Sequence, residues 1–455
     1  MPFRLPLKGY TLKITGKDNV KSPREIVVNL LTRIECDGAY ADRLLSSKQV
    51  AVQETRDRSF IRELVLGVLR WQLRIDHIIS AYYDKEIETL EPEIRNILRA
   101  GLFQLIYMNS VPDWAAVNES VSITRTFYGR KAAGLVNAIL RRFTREGFPI
   151  INTADEAERI SIEQSCPVWI VRKWIDTFGA ETAGAILVSS NQKNPVSIRT
   201  NTLKTDPGTL FRVLTDEGYE LIPVDSMPGY FNVSRGTGLF DTDSYMSGHF
   251  TAQDSAAGMA VMLLAPEKGE RILDMCSAPG GKTTHIAEIA EDDLSIDAVD
   301  INPKRLGLVK NAAKRLGLKS INFIEGDSVT FGCDSDMRYD RVLCDVPCSG
   351  SGVFSKRPDM KWRRKEEDPV RINSLQKAIL GNAAGLVRPG GVLVYSTCSL
   401  EPEENGDIVF WFTNEYNFTL ENDERFKRFE VDNGYLILPH SMYGNGAFVA
   451  KLRRN

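Results

Sequence analysis

Two cysteines stand where a nucleophile would be useful. Cys348 lies in Asp345-Val346-Pro347-Cys348-Ser349-Gly350 and Cys398 in Tyr395-Ser396-Thr397-Cys398-Ser399, each closing an apolar run that reads as a buried strand. Ligands of open α/β sheets sit at the carboxyl ends of the strands. A thiolate there can attack an electron-poor carbon, and a second thiol beside it suits a reaction that needs both a nucleophile and a partner to handle protons. For Cys36, Cys166, Cys333 and Cys344 the expectation is the usual one for a free cysteine, a small buried hydrophobe.

A glycine turn and a series of acids accompany the pair. Asp274-Met275-Cys276-Ser277-Ala278-Pro279-Gly280-Gly281-Lys282-Thr283-Thr284 follows an apolar strand and opens a helix, where glycines let a ligand approach backbone N–H groups. A phosphate loop would need glycine at 276, where this chain has Cys276, and GxGxxG is absent. What remains suits a nucleoside with an amino-acid tail. Asp300 closes the next strand, where a carboxylate can take both ribose hydroxyls; Asp327 closes the third, where it can accept from an exocyclic amino group of adenine. Either acid alone is more often a loop or cap residue. Together, at successive strand ends, they outline an adenosine site of the kind S-adenosylmethionine requires, and Asp345 adds a carboxylate at the fourth.

Between the cysteine motifs, residues 355–365 carry six cations and Trp362. Phosphates are expected to be met there, against the alternative of a solvated loop neutralised by Glu366, Glu367 and Asp368. His285 falls on a helix and reads as a surface or core residue.

These residues must be held by several domains, since 455 residues exceed one ordinary core. Residues 1–20 read as a loose N-terminal arm. From 21 to 148 the spacing is helical: Ile61, Leu64, Val65, Val68 and Leu69 recur at i, i+3, i+4, as do Ile94, Ile97, Leu98, Leu102 and Leu105, and Asn118 to Phe143 reads as one amphipathic stretch with a basic end. An all-α bundle is expected. Residues 149–245 shorten into a linker and a small α+β module, with a strand over 196–201 and a helix over 205–218. From 246 to 455 strand, turn and helix repeat, with strands over 271–276, 295–300, 321–324, 339–345 and 391–396, which predicts a doubly wound, Rossmann-like α/β domain.

Apolar content of 43% is ample for globular folding, and no apolar run approaches a membrane span. The first twenty residues lack a signal-peptide core, and seven cysteines without a CxxC pair argue against a disulfide framework or a zinc site. The chain reads as cytoplasmic. A net charge of −3 gives no global signature for a nucleic acid, so any such contact must come from local patches.

With these residues in hand, the chain resembles the Nop2/Sun family of RNA cytosine-5 methyltransferases over nearly everything after Lys21. The resemblance rests on Asp274 to His285, Asp345 to Gly352, Arg357-Pro358-Asp359-Met360-Lys361-Trp362 and Tyr395 to Asn405. The helical region, through Arg95-Asn96-Ile97-Leu98-Arg99, Val111 to Glu119 and Val136 to Phe143, resembles the NusB-type RNA-binding domain fused to bacterial members that act on small-subunit (16S) rRNA. The resemblance implies that Cys276, Ser277, Ala278, Pro279, Gly280, Gly281 and Lys282 wrap the methionine part of S-adenosylmethionine. It gives Asp300 the ribose, Asp327 the adenine and Arg305 a further place at the cofactor, sets Asp345 between cofactor and base, and has Gln253 and Asp254 shape the pocket. Cys398 would be the nucleophile on C6 of cytosine and Cys348 would assist product release, with no metal. It further implies a monomer acting on naked 16S rRNA or an early assembly particle, with no DNA or membrane partner. Residues 440–452 depart from the family's usual aromatic pattern before the last strand. The alternatives are the same chemistry on tRNA or another rRNA site, and a non-catalytic RNA-binding assembly factor.

Overall fold

The computed structural model describes residues 22–225, 227–235, 238–441 and 445–455; the expected arm at 1–20 and positions 442–444 of the C-terminal segment lie outside the described residues. Two compact units are present. One holds the described residues up to Gln192 together with Arg357–Lys365, the other Lys193–Lys356 with Glu366–Asn455.

The first unit is helical. Its opening helix, Pro23–Cys36, starts with a reciprocal cap: Ser22 Oγ accepts from Glu25 N–H, the Glu25 carboxylate accepts from Ser22 N–H, and Pro23 occupies a first position whose N–H would be unpaired anyway. Ile61, Leu64, Val65, Val68 and Leu69 are buried on Thr55–Arg70, and Ile94, Ile97, Leu98 and Leu102 on Pro92–Tyr107, as 3.6-residue spacing demands. Asp113–Glu146 is not the single stretch expected: Gly129, at φ 79° and ψ −178°, breaks it into two helices end to end.

Polar residues lock this bundle as well. Arg99, 5% exposed, makes paired 2.7 Å bonds to both oxygens of Asp76 on Gln72–Tyr82 and a 3.1 Å bond to Glu35 on Pro23–Cys36. The charges of Asp76 and Glu35 outweigh burial and hold the guanidinium above its ordinary range. One arginine thereby ties three helices.

Lys361 and Arg363 depart from the expectation that the cations of the basic run meet phosphates, whereas Lys356, Arg357 and Lys365 are exposed. Lys361 is wholly buried, its ammonium donating to Ser165 O and Asn191 Oδ1; Trp362 Nε1–H donates to Leu69 O, and Arg363 donates to Gly38 O and Ala39 O. Burial pulls Lys361 down to about 8. A cation reads as outward-facing only while its stem is assumed to point outward, and here the Lys361 stem lies in a core.

In the second unit a small antiparallel sheet is built from β1 (Val196–Thr200), β2 (Glu220–Pro223), β3 (Tyr230–Arg235) and β4 (Phe250–Ala252) in the order β2-β3-β1-β4, with helix Pro207–Asp216 beside it. β4, expected in the catalytic domain, completes this sheet by pairing with β1.

The large sheet contains β5 (Arg271–Asp274), β6 (Ser295–Asp300), β7 (Ile321–Glu325), β8 (Tyr339–Asp345), β9 (Val387–Thr397), β10 (Phe418–Glu421), β11 (Glu430–Val431), β12 (Gly434–Ile437) and β13 (Ala447–Arg454). The order is β11-β12-β13-β9-β8-β5-β6-β7, with β10 also on β13; β7 through β9 run parallel, and β13 pairs antiparallel with β9. Helices such as Ser255–Leu264, Gly281–Ile289 and Asp368–Leu386 cover apolar strands whose central residues are fully buried, as parallel sheets require. Among the described residues no helix is long and apolar enough to cross a membrane.

Candidate active site

Three adjacent parallel strands, β5, β8 and β9, deliver the sequence motifs to one end of the sheet. β5 ends at Asp274 and leads into the glycine turn, β8 ends at Asp345 three residues before Cys348, and β9 ends at Thr397, next to Cys398. The register sets Asp345 opposite Ser396. The two cysteines therefore leave neighbouring strand ends, and their sulfurs stand 3.2 Å apart. Cys398 N–H also donates to Cys348 Sγ at 3.3 Å. Both are partly exposed. The hydrogen bond with Cys398, followed by burial, pushes the Cys348 thiol well above its ordinary range.

Lys282, on the first turn of Gly281–Ile289, reaches back across the strand ends to Asp345, Nζ to Oδ2 2.7 Å. Burial alone would lower the lysine; the Asp345 charge and hydrogen bond overcome it, with Cys398 and Asp274 adding to the upward pull, so the ammonium is held. The site thus presents two thiols, a carboxylate and a cation together.

The turn before Lys282 is tightly built. Gly280 has φ 104°, and a Cβ there would stand 3.0 Å from the Val309 backbone, so a side chain would be both strained and crowded. Asp274 is buried with Oδ2 accepting from Thr283 Oγ1–H at 2.6 Å, and burial pushes it up to about 7. Asp274 Oδ1, Ser277 Oγ and Gln253 Nε2 are buried without a protein partner. Polar atoms stranded beside a helix N-terminus fit a ligand with a charged, hydrogen-bonding tail. The donor set therefore suits the amino-acid end of S-adenosylmethionine.

Asp300 and Asp327 sit at the ends of β6 and β7 as expected, but in different settings. Asp300 is buried and accepts from Ala278 N–H and Asn302 N–H, so it braces the turn as well as facing the strand ends. Asp327 is exposed and caps its own loop through Val329 N–H. Arg305 donates to Ala278 O at 2.7 Å and lies 3.8 Å from Asp300, bracketing the turn from outside. Cys276 contacts Ser328 Oγ at 3.7 Å, and burial drives its thiol to about 12.

Among the remaining cysteines, Cys36, Cys166 and Cys344 are buried as expected, whereas Cys333 is exposed and donates to Asn382 Oδ1. His285 is a core residue, 5% exposed, contacting Tyr230 OH through Nδ1, and burial lowers its pKa well below the ordinary value. Among the described residues no group of three or more His, Cys, Asp or Glu is placed to hold a metal ion.

Two supporting clusters were not singled out from sequence. Arg199 on β1 pairs with Glu288 on Gly281–Ile289, Nη2 to Oε1 2.6 Å, and also donates to Gln253 Oε1 and Gly281 O, so the helix carrying Lys282 is pinned from the small sheet. Glu404, wholly buried, joins the turns after both cysteines through Ser349 and Ser399. Glu404 falls within the Tyr395–Asn405 motif, but nothing in that motif gave it a role apart from its neighbours.

Comparison with known proteins agrees with this arrangement. Residues 261–453 match the family model of 16S rRNA methyltransferase RsmB/F, residues 21–145 the NusB family, and residues 166–236 the ferredoxin-like domain of RsmF/B-like methyltransferases. The chain is 33% identical over 444 residues to the probable ribosomal RNA small subunit methyltransferase B of Bacillus subtilis, covering 95% of this chain and 99% of that one. It is 32% identical over 440 residues to ribosomal RNA small subunit methyltransferase B of Pasteurella multocida, covering 95% and 96%. Its fold follows the crystal structure of PH0851 with TM-score 0.81 at 23% identity, covering 96% of this chain and 100% of that one. A methyltransferase homolog from Pyrococcus horikoshii matches with TM-score 0.59 at 26% identity, covering 67% and 100%. Extended over nearly the whole length, these likenesses establish that the chain belongs to the RsmB/F family of 16S rRNA methyltransferases.

Proposed function

We propose that the protein transfers a methyl group from S-adenosylmethionine to C5 of a cytosine in small-subunit rRNA through a covalent Cys398–C6 adduct. The observation that carries the reading is the pair of thiols 3.2 Å apart at adjacent strand ends, beside the Lys282–Asp345 ion pair. Cytosine needs that combination. Its C5 is a poor nucleophile until a thiolate adds to C6; once methylated, C5 must lose its proton before the thiolate can be expelled.

In this reading Cys398 attacks C6, favoured as a thiolate by the nearby Lys282 ammonium. Asp345 faces the base and anchors it while charge develops on the ring. Cys348, having first released its own proton to solvent through its partly exposed sulfur, takes the C5 proton; the C5–H electron pair forms the C5–C6 double bond as the C6–sulfur bond breaks, and Cys398 leaves as the thiolate. S-adenosylmethionine supplies an electrophilic methyl on its sulfonium. The residues that would hold it are the turn Cys276 to Lys282 for the methionine part, Asp300 for the ribose and Asp327 for the adenine, with Arg305 bracing the turn. This chemistry calls for no metal, and the expected setting is a cytoplasmic monomer on rRNA.

The test is incorporation of labelled methyl into naked small-subunit rRNA, with bisulfite sequencing to find the base. Wild type should label one cytosine there and Cys398→Ala none; preferential labelling of tRNA would overturn the substrate, and labelling by Cys398→Ala would overturn the mechanism.

A further inference from the structure

Neither thiol holds its place unaided. The turns that carry them converge on Glu404, which is 0% exposed in the one-turn helix Pro402–Glu404. Its Oε2 accepts from Ser349 N–H at 2.8 Å and from Gln376 Nε2–H at 3.1 Å, and its Oε1 accepts from Ser399 Oγ–H at 3.0 Å. Ser349 follows Cys348 and Ser399 follows Cys398 in the chain. Gln376 also donates to Pro347 O at 3.0 Å, and Ser349 Oγ meets Ser399 Oγ at 3.0 Å. Its neighbour Asn405 accepts from Thr397 Oγ1–H at 2.7 Å and donates to Ser399 O at 2.9 Å, gripping the Cys398 turn from the other side.

Two N–H donors on Oε2 and the Ser399 hydroxyl on Oε1 can all be met by a carboxylate. Burial works against that charge and raises the Glu404 pKa, while the donors from Ser349, Ser399 and Gln376 hold it down. A buried carboxylate is costly, and a fold that needed only a link between two turns could use a neutral side chain.

The charges around the thiols are divided. The Lys282 ammonium, paired with Asp345 and reached by the charge of Asp274, acts on Cys398. The Cys348 thiol is raised chiefly by its hydrogen bond with Cys398 and by burial, and the Glu404 carboxylate adds to that pull. Beneath them Tyr395 donates its hydroxyl to Glu404 O at 2.6 Å and feels Cys348, Glu404 and Cys344. The Cys398 N–H opposes the division by stabilising a charge on Cys348. With the Lys282 ammonium near one sulfur and the Glu404 carboxylate adding to the pull on the other, Cys398 is suited to attack as thiolate, and Cys348, once its own proton has gone to solvent, is the stronger base for the C5 proton.

We infer that Glu404 is a positioning residue that locks the turns after Cys348 and Cys398 to each other and, with its charge on the Cys348 side, divides the two thiols into attacker and proton acceptor. The inference rests on the reading of Cys398 as the nucleophile. Glu404 touches neither base nor cofactor in this role; it acts through the two cysteines.

The experiment separates charge from shape. Glu404→Gln keeps the acceptor for Ser349 and lets Ser399 accept instead of donate, so it removes the charge alone; Glu404→Ala removes the link too. Each is measured for kcat and KM on small-subunit rRNA, for S-adenosylmethionine binding by calorimetry, for thermal melting, and for the ratio of iodoacetamide labelling at Cys348 and Cys398 by peptide mass spectrometry. Glu404→Gln should lower kcat about 10-fold and Glu404→Ala about 100-fold, with KM and cofactor binding within about twofold. Labelling in Glu404→Gln should move toward Cys348 by about fivefold or more at neutral pH. A labelling ratio unchanged in a folded, cofactor-binding Glu404→Gln, or kcat near wild type in both variants, would overturn the inference. If Glu404→Ala fails to fold, the Glu404→Gln labelling ratio and kcat decide alone. Should Cys398→Ala still methylate, the nucleophile assignment fails first, and that outcome is read independently of Glu404.

Discussion

Cys348 Sγ and Cys398 Sγ lie 3.2 Å apart, yet the residues are fifty positions apart in the chain and leave different strands. The parallel pairing of β8 with β9 brings them together, so each can serve the same carbon framework in turn.

Their order of action is accessible to single substitutions. Cys348→Ala should accumulate a covalent RNA adduct that survives a denaturing gel, because attack proceeds and release does not. Cys398→Ala should give no adduct and no methylation. DNA cytosine methyltransferases use the cysteine of the Pro-Cys motif as nucleophile, and an adduct from Cys398→Ala with none from Cys348→Ala would assign that order here.

The same proximity makes the site sensitive to oxidants. A disulfide needs the sulfurs at ~2.05 Å, roughly one ångström closer than they stand, and both thiols are partly exposed. Diamide, which takes two hydrogens from a thiol pair, should abolish methyl transfer, cost two titratable thiols, and link peptides containing 348 and 398. Dithiothreitol should restore activity. Loss of activity with the two thiols still free would show that oxidation acts elsewhere.

The buried pair of Arg199 and Glu288, each 3% exposed, should be expensive to break by halves. Arg199→Met leaves a buried carboxylate unpaired and should cost ~3–5 kcal/mol in urea unfolding, whereas Arg199→Met with Glu288→Leu should recover most of it. Since Arg199 also holds Gln253 and Gly281 O, the single variant should weaken S-adenosylmethionine binding as well. Equal costs for single and double variants would show that the charges are not coupled.

Lys361 gives a pH signature. Its amine is pulled by burial from an ordinary 10.5 to about 8, so between these values the unfolded chain carries a proton that the folded chain does not. Stability from this group therefore rises with pH across that window, by up to ~1.4 kcal/mol per pH unit, and the penalty for holding it charged is felt in full below about 8. Comparing unfolding free energies of wild type and Lys361→Met from pH 7 to 10 isolates it from other titrations. The difference should change in wild type's favour as pH rises, and parallel curves would refute the burial account.

What could be read in advance was whatever is written locally. An apolar run closed by Asp-Val-Pro-Cys or Ser-Thr-Cys announces a strand end, and the spacing of Ile61 to Leu69 announces a helix face, because neighbours in sequence decide both. The bonds of Glu404 to Ser349 and of Arg199 to Glu288 span 55 and 89 positions, so no local pattern could reveal them. Lys361 misled for a related reason. Its partners, Asn191 and Ser165, are 170 and 196 positions away, and without them a lysine among arginines reads as a phosphate contact. Gly129 was the one local signal passed over, a glycine inside an otherwise helical period.

β13 lies inside the large sheet, with β9 on one edge and β12 and β10 on the other. Its register runs from Phe448 opposite Thr397 to Arg453 opposite Val392, which flanks the whole segment leading to Cys398. A growing chain that has emitted the nucleophile strand still lacks its neighbour, and a proteolytic nick before Ala447 leaves an apolar ladder open to any passing strand. Loss of a handful of residues near the C-terminus should convert a methyltransferase into an aggregation-prone protein.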